Sequence, residues 1–313
     1  MPIIVAENLS KTYKTYKRAA GLRREAVYVH AVDNISFTVE EGAVCGLLGP
    51  NGAGKSTAVK MMCGALFPSG GRIEAMGFSP ARDRKKYVAL IGAVFGQKSQ
   101  LIWDIPPLDS FKMNRAIYGV PQAAYRDVLE ELTALLDVEE VMEKPTRVLS
   151  LGERMKCEFI MAMLHRPRIV FLDEPTIGLD VIAKAGVRSF IKKMNGRGTT
   201  FILTTHDMAD VEQLAGHVIV VNRGQIVFDG TLTELRRRVG DKKLIELTLN
   251  EAPPPGALDG VTVTARRSEL EYMLETDTND VGGFVEALFK RVSIRDISIK
   301  EMPMEDVITA LYR

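Results

Sequence analysis

The stretch Gly46–Met62, GLLGPNGAGKSTAVKMM, decides how the chain is read. Gly49, Gly54, Lys55 and Ser56 stand at the spacing G-x-x-x-x-G-K-[ST], between a buried-type strand, VCGLLG, and a helix, AVKMMCGAL, that ends in FPSGG. The residue types suit phosphate. Glycines let successive N–H groups converge on phosphate oxygens with no Cβ in the way, and a helix starting near Lys55 adds its positive end. Gly49, Asn51, Gly52, Ala53, Gly54, Lys55, Ser56 and Thr57 are therefore expected to cradle a nucleotide. Lys55 is expected at the β- and γ-phosphates and the Ser56 hydroxyl on Mg²⁺. An accidental match occurs in roughly 1% of chains of this length, and the strand–loop–helix context makes accident rarer still.

RIVFLDEPTIGLD, Arg168–Asp180, runs an apolar strand into two acids, Asp173 and Glu174. Paired carboxylates at a buried strand's end are costly unless a cation or a reaction occupies them. Alternation sends successive side chains apart, so the two acids are expected to do different jobs. Asp173 would hold Mg²⁺ and Glu174 would act as general base toward an attacking water. FILTTHDMAD ends another buried strand in His206, the one histidine placed at a core strand's end after the carboxylates, so it is expected at the γ-phosphate. His30, His165 and His217 read as ordinary satisfied polar residues.

LSLGERMK, Leu149–Lys156, contains Ser150 followed three residues later by Glu153, a capping box that opens a helix. The same residues could present free N–H groups to an anion.

The bulk properties exclude several classes. The net charge of +1 over 313 residues requires no nucleic-acid partner. Cys45, Cys63 and Cys157 lie far apart with no CxxC spacing, which argues against a disulfide framework or zinc site and fits a reducing compartment. The N-terminus, MPIIVAENLSK, is not a secretory signal. No apolar run approaches the ~18–20 residues of a membrane span, so a membrane role would go through a partner.

Short apolar strands alternating with helices predict an α/β fold, a largely parallel core sheet covered on both faces. Residues from about 98 to 165 read as a helical subdomain. KTYKTYKRAAGLRREAVYVH, Lys11–His30, reads as a basic solvated loop, with anionic lipid or a partner surface as the sharper reading. Near Gly240 the texture changes to period-two strands and two helices. The expected division is 1–239, a nucleotide-binding domain, and 240–313, a small α+β domain.

GPNGAGKST, Gln97 in VFGQKSQL, LSLGE, FLDEPTIGLD and His206 occur in this order, and the chain resembles the ATPase subunit of an ABC transporter over about residues 3–235. The resemblance implies the P-loop cassette with its antiparallel β subdomain and helical subdomain. It also implies ATP hydrolysis with Mg²⁺ and two copies that sandwich two ATP molecules. Tyr13 would stack on adenine. Gln97 would sense Mg²⁺ and couple to a membrane permease through the segment around Trp103. Ser150, Gly152 and Glu153 would form the signature turn meeting the γ-phosphate held by the other protomer, and Asp180 would lie between the two sites. The length and the tail ending in MEDVITALYR look most like exporters of the second ABC type, the drug- and antibiotic-efflux and viologen-exporter-like group. That places the subunit on the cytoplasmic face of the cell membrane, most simply as a homodimer, without nucleic acid. An importer ATPase is the alternative. A soluble ABC ATPase fits less well, because the interval of about ninety residues between phosphate loop and signature holds neither a coiled coil nor a zinc module.

The family's signature is LSGGQ, and here Leu151 and Glu153 depart from it. Leucine cannot adopt the φ > 0 conformations open to glycine, which implies a tighter turn. Glu153 is expected to fold back on the Ser150 N–H, hiding its charge while Ser150 and Gly152 face outward.

Overall fold

The computed structural model describes residues 1–18, 24–96, 98–239, 242–277 and 281–312. In chain order the first compact unit, Met1–Thr231, carries β1 (Pro2–Arg18), β2 (Arg24–Glu40), β3 (Val44–Leu48), α1 (Lys55–Met62), β4 (Gly70–Ala75), α2 (Arg84–Val88) and β5 (Ile91–Phe95). It continues with α3 (Pro107–Tyr118), α4 (Gln122–Leu136), α5 (Leu151–Met163), β6 (Ile169–Asp173), α6 (Val181–Asn195), β7 (Thr200–Thr204), α7 (Met208–Leu214), β8 (His217–Asn222) and β9 (Gln225–Gly230). The core sheet has the order β5-β6-β7-β3-β8-β9, parallel except for the antiparallel β8–β9 pair at its edge. A separate antiparallel sheet has the order β2-β1-β4.

Alternation along the buried strands sorts side chains between two cores. Val170, Leu172, Phe201 and Leu203 pack with α3–α6, whereas Ile169, Phe171 and Ile202 pack with α1 and the antiparallel sheet. Asp173 and Thr204 continue the second set, so both arrive on the side of the phosphate loop. They are also register partners at the carboxyl ends of β6 and β7. Neighbouring parallel strands thus deliver these groups to one crevice, the place where open α/β sheets bind ligands.

Two expectations change. The basic stretch is not a loop where the structure describes it. β1 and β2 pair from Thr12↔His30 out to Arg18↔Arg24, because Tyr13, Thr15 and Tyr16 face Val29, Val27 and Ala26 across the ribbon, β-favouring residues that the lysine density obscures. The second compact unit is Leu232–Arg313, beginning eight residues before the expected 239/240 division. Its first helix, α8 (Leu232–Val239), buries Leu235, and Arg236 Nη1 donates to the Met302 carbonyl at 2.8 Å, which ties the helix to the C-terminal segment. The rest of that unit is an antiparallel sheet, β11-β12-β10-β13, made of β10 (Lys242–Leu249), β11 (Thr262–Arg266), β12 (Glu271–Asp277) and β13 (Ile294–Glu301), with α9 (Val281–Arg291) and α10 (Met304–Ala310). Ile245, Leu247, Leu274 and Leu288 form its core.

Candidate functional site

The phosphate loop leaves β3, every residue of which is buried, and enters α1 through Gly54. Gly49 and Gly54 have φ of 148° and 109°. A Cβ on either would lie 2.1 Å from the Val221 carbonyl oxygen or 2.2 Å from that of Ala31, so the loop closes only with glycine at these two positions. No side chain caps α1, which leaves its first-turn N–H groups available to an anion. Lys55 is buried, and its Nζ donates to the carbonyls of Gly49 (2.7 Å) and Pro50 (3.1 Å). Burial lowers the Lys55 pKa, while Glu174 and Asp173 act in the opposite sense. Asn51, Gly52 and Ser56 are exposed at the crevice, Thr57 is half-buried and Ala53 is buried beneath them.

Asp173 Oδ1 accepts from Thr204 Oγ1 at 2.5 Å and from Ser56 Oγ at 3.4 Å. Two hydroxyls and a carboxylate oxygen converging beside the glycine loop suit a hard cation that prefers oxygen ligands, so the donor set fits Mg²⁺ at Ser56 and Asp173. Glu174 follows with φ of 54°, a left-handed conformation unusual for a non-glycine residue. Its N–H donates to the Thr204 carbonyl at 2.9 Å, which fixes the turn. The turn aims Glu174 away from Asp173, and Glu174 Oε1 lies 3.2 Å from His206 Nδ1. The structure brings Lys55, Ser56, Asp173, Glu174 and His206 together in one constellation.

Gln97 lies outside the described residues. Its neighbour Gly96, which sequence reasoning passed over, donates its N–H to the Asp173 carbonyl at 2.9 Å, and a Cβ there would sit 2.4 Å from the Glu174 carbonyl oxygen. Tyr13 is partly exposed on β1 opposite Val29, with Lys11 Nζ 5.5 Å from its ring centre. The β2 strand of this ribbon supplies the Ala31 carbonyl against Gly54.

The signature turn realises the capping box in full. Glu153 N–H donates to Ser150 Oγ at 3.2 Å, and Ser150 N–H donates to Glu153 Oε2 at 2.7 Å. These bonds hold the Glu153 carboxyl below its ordinary pKa, the Ser150 backbone N–H being the main cause. Leu151 needs no glycine-like conformation because it is the first residue of α5. Gly152 packs on α6, where a Cβ would meet that of Ala183 at 3.1 Å. Asp180 caps α6 by accepting from the Ala183 N–H at 2.8 Å. Ser150, Gly152, Glu153 and Asp180 line one surface cleft. Among the described residues no hydrogen bond joins this group to the phosphate loop.

A third cluster was not anticipated. Asp210 is fully buried and accepts from Arg188 Nε (2.6 Å), from Thr205 Oγ1 (3.3 Å) and from Thr176 Oγ1. Thr176 follows Glu174 by two residues and Thr205 precedes His206, so Asp210 pins the loops that carry Glu174 and His206 to one buried carboxylate. The available signal was an aspartate in the first turn of a short helix, which reads equally well as solvent-facing.

Comparison with known proteins agrees with this geometry. The family model described as ABC transporter matches residues 32–177. The daunorubicin resistance ATP-binding protein DrrA3 of Streptomyces coeruleorubidus is 31% identical over 288 residues, covering 90% of each chain. The ABC transporter ATP-binding protein NatA of Bacillus subtilis is 31% identical over 66% of this chain and 84% of its own. Among solved structures, the dimeric post-hydrolysis state of the ATP-binding cassette MJ0796 bound to ADP and Pi aligns with a TM-score of 0.63 at 22% identity, covering 73% of this chain and 98% of that one. The chain belongs to the ABC transporter family, as one of its ATP-binding ATPase subunits.

Proposed function

We propose that the chain powers an exporter for amphipathic or cationic drug-like molecules, acting through a separate membrane permease at the cytoplasmic face of the membrane. Two copies would close on two nucleotides. The observation that carries this reading is the division of the site into two groups that no hydrogen bond joins among the described residues. Lys55, Ser56, Asp173, Glu174 and His206 lie on one edge, and Ser150, Gly152 and Asp180 open outward from another. A second copy turned by a two-fold axis would present its signature turn to the first copy's phosphate loop. The exposed Val181 and Ile182 at the start of α6 flank the signature cleft and suit burial in such a contact.

Ser56 and Asp173 would hold Mg²⁺, which when bound neutralises charge on the phosphates. Lys55 would exchange its loop carbonyls for phosphate oxygens. Glu174 would take the proton of the attacking water, with His206 orienting its carboxylate. Ile102 and Trp103, exposed just after the Gln97 segment, would meet the permease, and Arg154 on the signature helix lies over the Trp103 ring at 5.6 Å. Kinship with a daunorubicin resistance protein along nine-tenths of the chain supports export over import.

Light scattering of the Glu174→Gln variant tests the dimer. We expect a stable dimer with ATP and Mg²⁺ and a monomer without nucleotide. A monomer under both conditions would contradict the reading.

A further inference from the structure

We propose that the free end of the β1–β2 ribbon is a docking surface for anionic phospholipid headgroups. β4 pairs with β1 only as far as Ser10↔Gly70, whereas β1 and β2 continue as a two-stranded ribbon for seven more pairs, Thr12↔His30 to Arg18↔Arg24. At ~3.3 Å per residue this adds roughly 20 Å beyond the three-stranded sheet. A two-stranded ribbon alone is marginally stable in water, so a surface that covers one of its faces would stabilise it.

The register separates the faces. Cross-strand partners share a side, and successive pairs alternate. Tyr13 with Val29 and Thr15 with Val27 lie on one side, the side of the expected adenine contact. Lys14 with Tyr28 and Tyr16 with Ala26 lie on the other. Tyr16 and Tyr28 are 59% and 60% exposed, and Lys14 Nζ sits 5.6 and 5.9 Å from their ring centres. This outer face is therefore distinct from the Tyr13 side.

Charge selects the occupant. The described ribbon residues 14–18 and 24–25 carry Lys14, Lys17, Arg18 and Arg24 against Glu25 alone, four minus one or +3, although the whole chain carries +1. The remainder is therefore net negative, and the cations are concentrated here. Tyrosines prefer the headgroup level of a membrane, and nearby Lys and Arg side chains are drawn to an anionic surface. A protein interface would favour a closed apolar patch depleted of lysine, whereas here a lysine stands between the two rings. The family's work at membranes puts such a surface within reach.

The test is sedimentation of the full chain with phosphatidylcholine vesicles, with and without 30 mol% phosphatidylglycerol, at low and high salt. We expect binding only to the anionic vesicles, weakened at least tenfold by salt, by Lys14→Glu with Arg18→Glu, and separately by Tyr16→Ser with Tyr28→Ser. Nucleotide-dependent thermal stabilisation should be unchanged in both double variants, showing that the cassette is folded. Equal binding to neutral vesicles, no binding to either, or undiminished binding by both folded variants overturns the proposal. Displacement from vesicles by equimolar oligouridine would also overturn it in favour of nucleic acid.

Discussion

Glu158, buried in the third turn of the helix that starts at the signature, holds the segment following Gln97. It accepts from Ser99 Oγ at 2.5 Å, from the Gln100 N–H at 2.9 Å and from the Leu101 N–H at 3.4 Å. The Gln100 side chain meanwhile donates to the Ala93 carbonyl on β5. One residue is thus held both by the helical subdomain, through its backbone, and by the core sheet, through its amide. The α5 helix and β5 are thereby coupled through the segment that follows Gln97.

Replacing Glu158 with alanine removes the acceptor of the Gln100 N–H, whereas the Leu101 N–H and the Ser99 hydroxyl keep their bonds to Ser99 Oγ and the Leu101 carbonyl. An unsatisfied buried group costs about 1–3 kcal/mol, so Glu158→Ala should unfold at clearly lower denaturant than Glu158→Gln, which keeps an acceptor. Burial raises the Glu158 pKa, so the ionised carboxylate is disfavoured in the fold. Its contribution is fullest below the ordinary glutamate pKa and declines as pH rises through the raised value. The stability difference between wild type and Glu158→Gln should follow that direction in denaturation curves from pH 4 upward.

Glu153 behaves oppositely. Its folded pKa is lowered, so its stabilisation is present above the ordinary glutamate value and lost as pH falls through the lowered one. Glu153→Gln, which can still accept at the capping box, should be less stable than wild type by about 0.3–1 kcal/mol at pH 7 and equal to it under strong acid. Because the charge already folds back on the Ser150 N–H, the same substitution should change ATP-driven dimerisation less than tenfold by light scattering.

Asp210→Ala should cost about 1–3 kcal/mol, because it removes the buried acceptor shared by Thr176, Thr205 and the half-buried Arg188, which is left with its longer contact to Asp207 at 3.5 Å. The double variant Asp210→Leu with Arg188→Met should recover most of that stability by calorimetry. It should keep a reduced kcat, since Thr176 and Thr205 lose their shared acceptor. Full recovery of kcat would show that the pair is structural only.

Gly96→Ala forces a Cβ against the Glu174 carbonyl. The expected result is at least a tenfold loss of ATP turnover with ATP binding retained, measured by steady-state hydrolysis beside fluorescent-nucleotide titration.

The sequence was most legible where chemistry restricts residue type. The phosphate loop, the Asp173–Glu174 pair and His206 could be placed because little besides phosphate and metal binding calls for a glycine-lysine loop and carboxylates at buried strand ends. The Ser150–Glu153 cap was legible because it is local. The contacts made by Glu158, Asp210 and Gly96 were not, since each depends on a residue about 30 or more positions away. The ribbon was misread because Lys14, Lys17 and Arg18 suggested solvent, although Tyr, Thr and Val alternate through the same stretch. The unit boundary shifted because the burial of Leu235 and the Arg236–Met302 bond are tertiary facts.

The central claim is that each hydrolytic site takes its phosphate loop from one copy and its signature turn from another. The most direct test mixes two inactive proteins, Lys55→Ala and Ser150→Phe, and measures ATP hydrolysis. In a heterodimer the mutations fall together in one site and leave the other intact. Random pairing of equal amounts should then restore about a quarter of wild-type activity. A mixture no more active than its separate components would contradict the shared site.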